Sequence, residues 1–143
     1  MLNELVALDR SLERAKQDVI QRPDFNTFDA FRIFDVDGVG AITESEFKYA
    51  LADIGVHVQA EDIELFFKRY NKRRNGRLDF GEFAAAFDPL DNYYANILCS
   101  RRSTERRLNI YQKEDLFASD TSHCFKELLL TLMRVEASAE SLR

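Results

Sequence analysis

The chain of 143 residues is 45% hydrophobic and 31% charged, which predicts one globular domain with flanking elements. Its net charge of −5 and its pI near 5.1 argue against a general nucleic-acid-binding protein. No apolar run reaches the roughly 18 residues of a membrane-spanning helix, so we expect no membrane insertion.

The cysteines and histidines of the chain give little indication of catalytic or redox chemistry. The two cysteines, Cys99 and Cys124, lack metal-binding spacing and predict reduced thiols of a cytoplasmic protein. The two histidines, His57 and His123, lie far apart in the sequence, without a recognisable nucleophile or zinc arrangement. We therefore expect a protein that is not an enzyme.

The amino-terminal segment, residues 1–23, predicts an amphipathic helix over residues 2 to 20. Apolar residues recur there at heptad-like spacing, at Leu5, Leu8, Leu12, Ala15 and Val19. Pro23 marks the end of this helix, because proline disfavours helical geometry at the residue before it. Asp24 then stands where the N-cap of the next helix is expected.

Residues 24–88 contain two copies of one pattern. The first loop runs from Asp35 to Glu46 and the second from Asn71 to Glu82, and a phenylalanine follows each loop. Both have a polar residue at place 1, glycine at place 6, an aliphatic residue at place 8 and glutamate at place 12. Phenylalanine-rich periodic segments flank the loops and predict helices, with exiting helices over about 44–54 and 80–88.

This repeated pattern resembles the paired EF-hand of the calmodulin and troponin C superfamily. The resemblance implies an all-α fold, in which two helix–loop–helix units are joined by a short β pairing between Ile42 and Leu78. In such loops, oxygens at places 1, 3, 5, 7, 9 and 12 ligate Ca²⁺, and the glycine at place 6 permits the turn.

The first loop predicts at most one weak Ca²⁺ site. Val39 stands at place 5 and supplies no ligand, which predicts a dissociation constant on the order of 10⁻⁵ to 10⁻³ M. The alternative is a metal-free loop, held by Gly40 and local hydrogen bonds. The candidate ligands are Asp35, Asp37, Ala41 through its carbonyl, Thr43 and Glu46.

The second loop is predicted to be metal-free. Arg73 occupies place 3, and a cation about 4 Å from a divalent ion would cost roughly 8 kcal/mol at a dielectric near 20. The basic residues of this loop are then a solvated or partner-facing surface. The residues at its liganding places are Asn71, Arg73, Asn75, Asp79 and Glu82.

Residues 89–120 predict a mostly irregular basic connector that includes a short helix from Tyr93 to Cys99. Two interpretations of its arginines remain open. They either dock an acidic cytoskeletal surface such as a tubulin tail, with Ser103 or Thr104 as a phosphorylation switch, or form a basic loop without a dedicated partner. The arginines are Arg101, Arg102, Arg106 and Arg107.

Residues 121–143 predict a second long amphipathic helix, whose apolar stripe needs cover. It packs on the EF-hand pair, on the first helix or on a protein partner; the candidate partner-binding residues are Phe125, Leu128, Leu129 and Leu132. The two end helices resemble each other, either by chance, as amphipathic helices do, or because the chain is one unit of a longer array, similar to axonemal proteins with several EF-hand pairs.

Three functions follow from these features. The first is a non-enzymatic EF-hand interaction or scaffold module, cytoplasmic and cytoskeletal or axonemal, that binds an amphipathic helix or an acidic surface. The second is a calcium sensor whose first loop gates partner binding. The third is a light-chain-like clamp on a helical motif.

Overall fold

The computed structural model describes residues 2–102 and 117–141, with side chains from 7 to 102 and from 117 to 138. Within these ranges the fold is all-α with one short β pairing, which confirms the expected class. Its elements are α1 (Leu2–Ile20), α2 (Thr27–Phe34), β1 (Ala41–Thr43), α3 (Glu44–Asp53), α4 (Ala60–Tyr70), β2 (Arg77–Asp79), α5 (Phe80–Phe87), α6 (Asn92–Ser100) and α7 (Ser119–Ser141).

The two loops are tied together at their eighth places. Strands β1 and β2 pair antiparallel, and Ile42 lies opposite Leu78, as predicted. Both side chains are fully buried, because the central residue of each three-residue strand points into the core while its neighbours point out.

The helix that leaves each loop begins in a capping box. The Thr43 hydroxyl accepts from the Glu46 N–H, and the Glu46 carboxylate accepts from the Thr43 N–H; Asp79 and Glu82 make the same exchange. Helix α3 ends before Gly55, whose φ of +84° suits a left-handed C-terminal position. Local rules thus place both exiting helices to within a residue.

The first entering helix begins later than predicted, and Asp24 does not cap it. Asn26 is the N-cap of α2, and its Oδ1 accepts a hydrogen bond of 2.8 Å from the Asp29 N–H. Asp24 instead accepts hydrogen bonds from the Ala118 N–H and the Thr121 hydroxyl at the start of α7. The prediction for Asp24 was wrong because a second capping residue stood two positions closer to the helix.

Phenylalanine rings form a continuous interior across both units. Phe34 stacks on Phe47 with ring centroids 4.8 Å apart, and Phe47 stacks on Phe66 at 5.0 Å. Phe83 lies 5.6 Å from Phe34, which closes the cluster between the two units. Burial of each ring contributes about 1.5–3 kcal/mol, so these rings are the main stabilising contacts of the pair.

Helix α7 packs on its own EF-hand pair and on the first helix. It lies against α1 and α4, and Phe125 reaches Phe25, Phe34 and Phe87 at centroid distances of 5.6, 6.4 and 5.8 Å. Of the predicted α1 stripe, Leu12 and Val19 are buried, while Leu8 and Ala15 are partly buried against the core. Helix α7 therefore contacts both the pair and the first helix.

The short helix predicted near Tyr93 is present as α6, which packs beside α1. Within the described ranges, no helix combines the length and the hydropathy that crossing a membrane requires.

Candidate metal-binding loops

The side chain at place 1 organises the first loop. Asp35 accepts hydrogen bonds from the backbone N–H groups of Val39 and Gly40, at 3.1 and 2.9 Å. The chain can turn this tightly because Gly38 and Gly40 have φ of +67° and +87°, a region that other residues rarely adopt. Asp35 therefore holds the turn in place.

The carboxylate at place 12 of the first loop has one oxygen to spare. Glu46 Oε1 accepts from the N–H and the hydroxyl of Thr43, at 3.1 and 3.0 Å. Glu46 Oε2 is buried and has no hydrogen-bond partner among the described atoms. An unpaired buried carboxylate oxygen costs free energy, which a bound cation would recover. This oxygen fits the expected Ca²⁺ ligand.

The other candidate ligands of the first loop are less complete. Asp37 is exposed, and Val39 is aliphatic and 63% exposed at place 5. Within the described residues, no three acidic, histidine or cysteine side chains are arranged to hold a metal ion. Asp35, Asp37, the Ala41 carbonyl, Thr43 and Glu46 would hold Ca²⁺ only after the carboxylates rearrange, so their liganding role stays a prediction.

The second loop uses its carboxylates internally. Glu82 Oε1 accepts from the Asp79 N–H at 3.1 Å, and Glu82 Oε2 accepts from the Arg73 N–H at 3.2 Å. The guanidinium of Arg73 lies 3.6 Å from the Asp79 carboxylate. A cation here would have to displace a charged side chain and two backbone donors, so these residues do not fit a metal ion.

Places 1 and 5 of the second loop also differ from those of the first. Asn71 is 5% exposed, and neither its Oδ1 nor its Nδ2 has a hydrogen-bond partner among the described atoms. Asn75 Oδ1 is engaged by the Arg77 N–H at 3.1 Å. Arg74 stands where the first loop has Gly38, and its φ of +53° is the one positive value among the described non-glycine residues. We therefore still expect the second loop to be metal-free, and this stays a prediction.

The predicted partner-binding residues divide into three groups. Arg101 donates to the carbonyls of Arg22 and Phe25 at 2.7 and 2.9 Å, and Arg102 is exposed. Arg106 and Arg107, with Ser103 and Thr104, lie outside the described residues. Four residues of α7 belong to the core at 0–2% exposure, so this conformation does not present them to a partner: Phe125, Leu128, Leu129 and Leu132.

Polar contacts that the sequence did not predict attach α1 to the end of the pair. Glu13 accepts from the N–H groups of Leu90 and Asp91 at 2.7 and 3.3 Å, and Lys16 Nζ donates to the Asp88 carbonyl at 3.0 Å. Burial by itself would raise the pKa of Glu13. The hydrogen bonds from Leu90, Asp91 and Gln17 stabilise the charged carboxylate more strongly, so the pKa of Glu13 is lowered overall. Burial lowers the pKa of Lys16 despite the nearby carboxylates. The sequence feature that could have predicted these contacts is the presence of two charged residues, Glu13 and Lys16, among the apolar positions of α1.

Comparison with known proteins agrees with this geometry. Residues 24–87 match the model of the EF-hand domain pair. An uncharacterized calcium-binding protein of Caenorhabditis elegans is 39% identical over 43% of this chain and 27% of its own length. A probable calcium-binding protein of Arabidopsis thaliana is 37% identical over 42% and 39% of the two lengths. Human centrin-3 is 28% identical over 57% and 48%.

The chain spans less than two thirds of each of these relatives. No solved structure matches it significantly. The matched residues hold both loops, the β pairing between them and all four helices that flank them. Residues 24–87 of the chain are therefore an EF-hand domain pair, which lies between two flanking helices.

Proposed function

We propose that this protein is an EF-hand interaction module that acts by binding rather than by catalysis and holds at most one Ca²⁺ ion, at the first loop. The observation that carries the proposal is the contrast between the two glutamates at place 12. Glu46 has a buried oxygen without a partner, whereas both oxygens of Glu82 accept hydrogen bonds from the loop. Glu46 therefore gains a contact when a cation binds, whereas Glu82 would have to give up hydrogen bonds that it already makes.

Helix α7 limits what that ion can do. Exposing its four core residues, Phe125, Leu128, Leu129 and Leu132, would cost on the order of 6–12 kcal/mol. A ligand at 100 times its dissociation constant contributes about 2.7 kcal/mol. Calcium at one weak site therefore does not suffice to release α7, and we expect the module to stay closed with or without the ion.

The partner is expected to bind the outside of this closed module. A cytoskeletal or axonemal location, with an acidic surface or an amphipathic helix as the partner, stays a prediction. Retention of the protein in a cytoskeletal fraction, compared with the cytoplasmic fraction, tests the location.

Two-dimensional ¹⁵N NMR during a calcium titration tests the proposed function. We expect shifts confined to residues 35–46, and loss of those shifts in Glu46→Gln. Glu82→Gln is the matched control, because it makes the same change at the same place of the other loop. Calcium-dependent shifts that spread to Phe34, Phe83 and Phe125 would contradict the proposal.

The alternative function is a calcium sensor, favoured by the position of α7 over the phenylalanine cluster. In that case α7 covers the surface that a target helix would bind, and the target helix displaces α7 when calcium is bound. Calcium-dependent proteolysis at the start of α7 would favour this alternative.

A further inference from the structure

The end of α4 and the second loop form the most basic stretch of the described surface. Six of the ten residues from 68 to 77 are basic and none is acidic, in a chain whose net charge is −5. We name this surface the basic loop patch; its residues, all exposed, are Lys68, Arg69, Lys72, Arg73, Arg74 and Arg77.

Most of these charges have no acidic partner within the described residues. Arg69 lies 3.7 Å from Glu136, and Arg73 lies 3.6 Å from Asp79. The other four make no ion pair within 4.0 Å with a described residue: Lys68, Lys72, Arg74 and Arg77. Four unpaired cations close together repel each other, and an anionic partner would relieve that repulsion.

The backbone that carries the patch is already ordered without a metal ion. Glu82 fixes the N–H groups of Arg73 and Asp79, and Arg77 is paired with Thr43 in the β ladder. A partner would therefore order side chains but little backbone, which lowers the entropic cost of binding.

We propose that the basic loop patch binds a short acidic peptide segment of a partner protein. Guanidinium groups bind carboxylates in a bidentate geometry, and the patch offers several of them on one loop. A cleft of about 390 Å³ beside the patch is lined by Lys68, Arg74 and Asn71 but also by Glu44 and Glu64. A longer polyanion such as a nucleic acid would meet these glutamates and the acidic remainder of the chain, whereas a short peptide can avoid them.

This inference rests on the proposed interaction function, and it assigns the chemistry of the partner. The test is fluorescence anisotropy of a labelled peptide with about six consecutive glutamates, in excess EDTA, with its glutamine counterpart as reference. The patch variant carries Lys72→Gln, Arg74→Gln and Arg77→Gln. The control removes the same charge from other exposed positions: Arg10→Gln, Arg14→Gln and Lys48→Gln.

We expect the glutamate peptide to bind and its glutamine counterpart not to bind. The patch variant should weaken binding about tenfold or more and the control less than about twofold. A rise in salt from about 50 to 200 mM should weaken binding further. Thermal unfolding checks that both variants fold.

Equal loss in the two variants, no binding by the unchanged protein, or tighter binding of single-stranded DNA or phosphatidylserine vesicles would overturn the inference. Because EDTA removes calcium, this result is independent of calcium uptake. Calcium at both loops would defeat the proposed function and leave this binding unchanged.

Discussion

The Thr121 hydroxyl donates a hydrogen bond to Asp24 Oδ1, across 97 residues of sequence. The other carboxylate oxygen of Asp24 accepts from the Ala118 N–H at 2.7 Å, so that Asp24 caps the amino terminus of α7 from a distant segment. Thr121 is 1% exposed, which places this contact at the edge of the core. One carboxylate thus joins the start of the EF-hand pair to the start of the helix that covers it.

Removal of that carboxylate should destabilise the protein. We expect Asp24→Ala to lower the free energy of unfolding by about 1–2 kcal/mol, because α7 loses its cap and the buried hydroxyl of Thr121 loses its partner. Asp120→Ala is the control, since Asp120 is in the same turn of α7 but its side chain is 82% exposed and its ion pair with Arg22 is long, at 4.0 Å. Urea unfolding should show a change within about 0.5 kcal/mol for the control. Equal effects would contradict the capping role.

A ligand restored at place 5 should strengthen calcium binding at the first loop. Val39 is 63% exposed, so Val39→Asp adds a carboxylate without disturbing the core. We expect an affinity about tenfold higher or more, since the missing oxygen is supplied. Val36→Asp adds the same charge at a place that does not ligate, and calorimetry should show less than about a threefold change. Similar gains in both variants would indicate a general charge effect.

The backbone strain at Arg74 can be measured. A left-handed conformation costs a non-glycine residue about 1–2 kcal/mol, while a new glycine loses about 0.5–1 kcal/mol through the entropy of the unfolded chain. Arg74→Gly should therefore raise the free energy of unfolding, by up to about 1.5 kcal/mol. Lys72→Gly removes the same charge from the same loop at a position without positive φ, and it should destabilise. If both substitutions destabilised the protein, the backbone at Arg74 would not be strained.

Acid should weaken the attachment of α1 through Glu13. Because the folded-state pKa of Glu13 lies below the ordinary value of 4.5, its stabilisation is present above pH 4.5 and is lost as the pH falls through the folded-state pKa. The stability difference between the unchanged protein and Glu13→Gln should shrink as the pH is lowered from about 6 to about 3. If this stability difference did not change with pH, the carboxylate of Glu13 would not stabilise the attachment of α1.

The elements that the sequence predicted are those specified by nearby residues. The two loops, the Ile42–Leu78 pairing and the exiting helices depend on turn glycines and capping boxes within a few positions. Asp24 was misplaced because two capping residues competed locally, and its actual partners lie almost a hundred residues away. The packing of α7 was left open for the same reason, since amphipathicity shows that a face is buried but not against what.

The candidate metal-binding loops, like the fold, could be predicted from the sequence only in part. Val39 and Arg73 could be identified as departures from liganding chemistry from their places alone. The unpaired oxygen of Glu46 and the unpartnered amide of Asn71 depend on the backbone geometry of each loop. The residue types alone do not predict which side-chain atoms lack a hydrogen-bond partner. The liganding roles at the first loop accordingly remain predictions that only a titration tests.

Isothermal titration calorimetry with calcium tests the central claim, that one loop and not the other accepts the ion. The unchanged protein and Glu82→Gln should each take up one ion with a dissociation constant on the order of 10⁻⁵ to 10⁻³ M, and Glu46→Gln should take up none. Two ions per chain, or a binding step that Glu82→Gln abolishes while Glu46→Gln preserves it, would contradict the account.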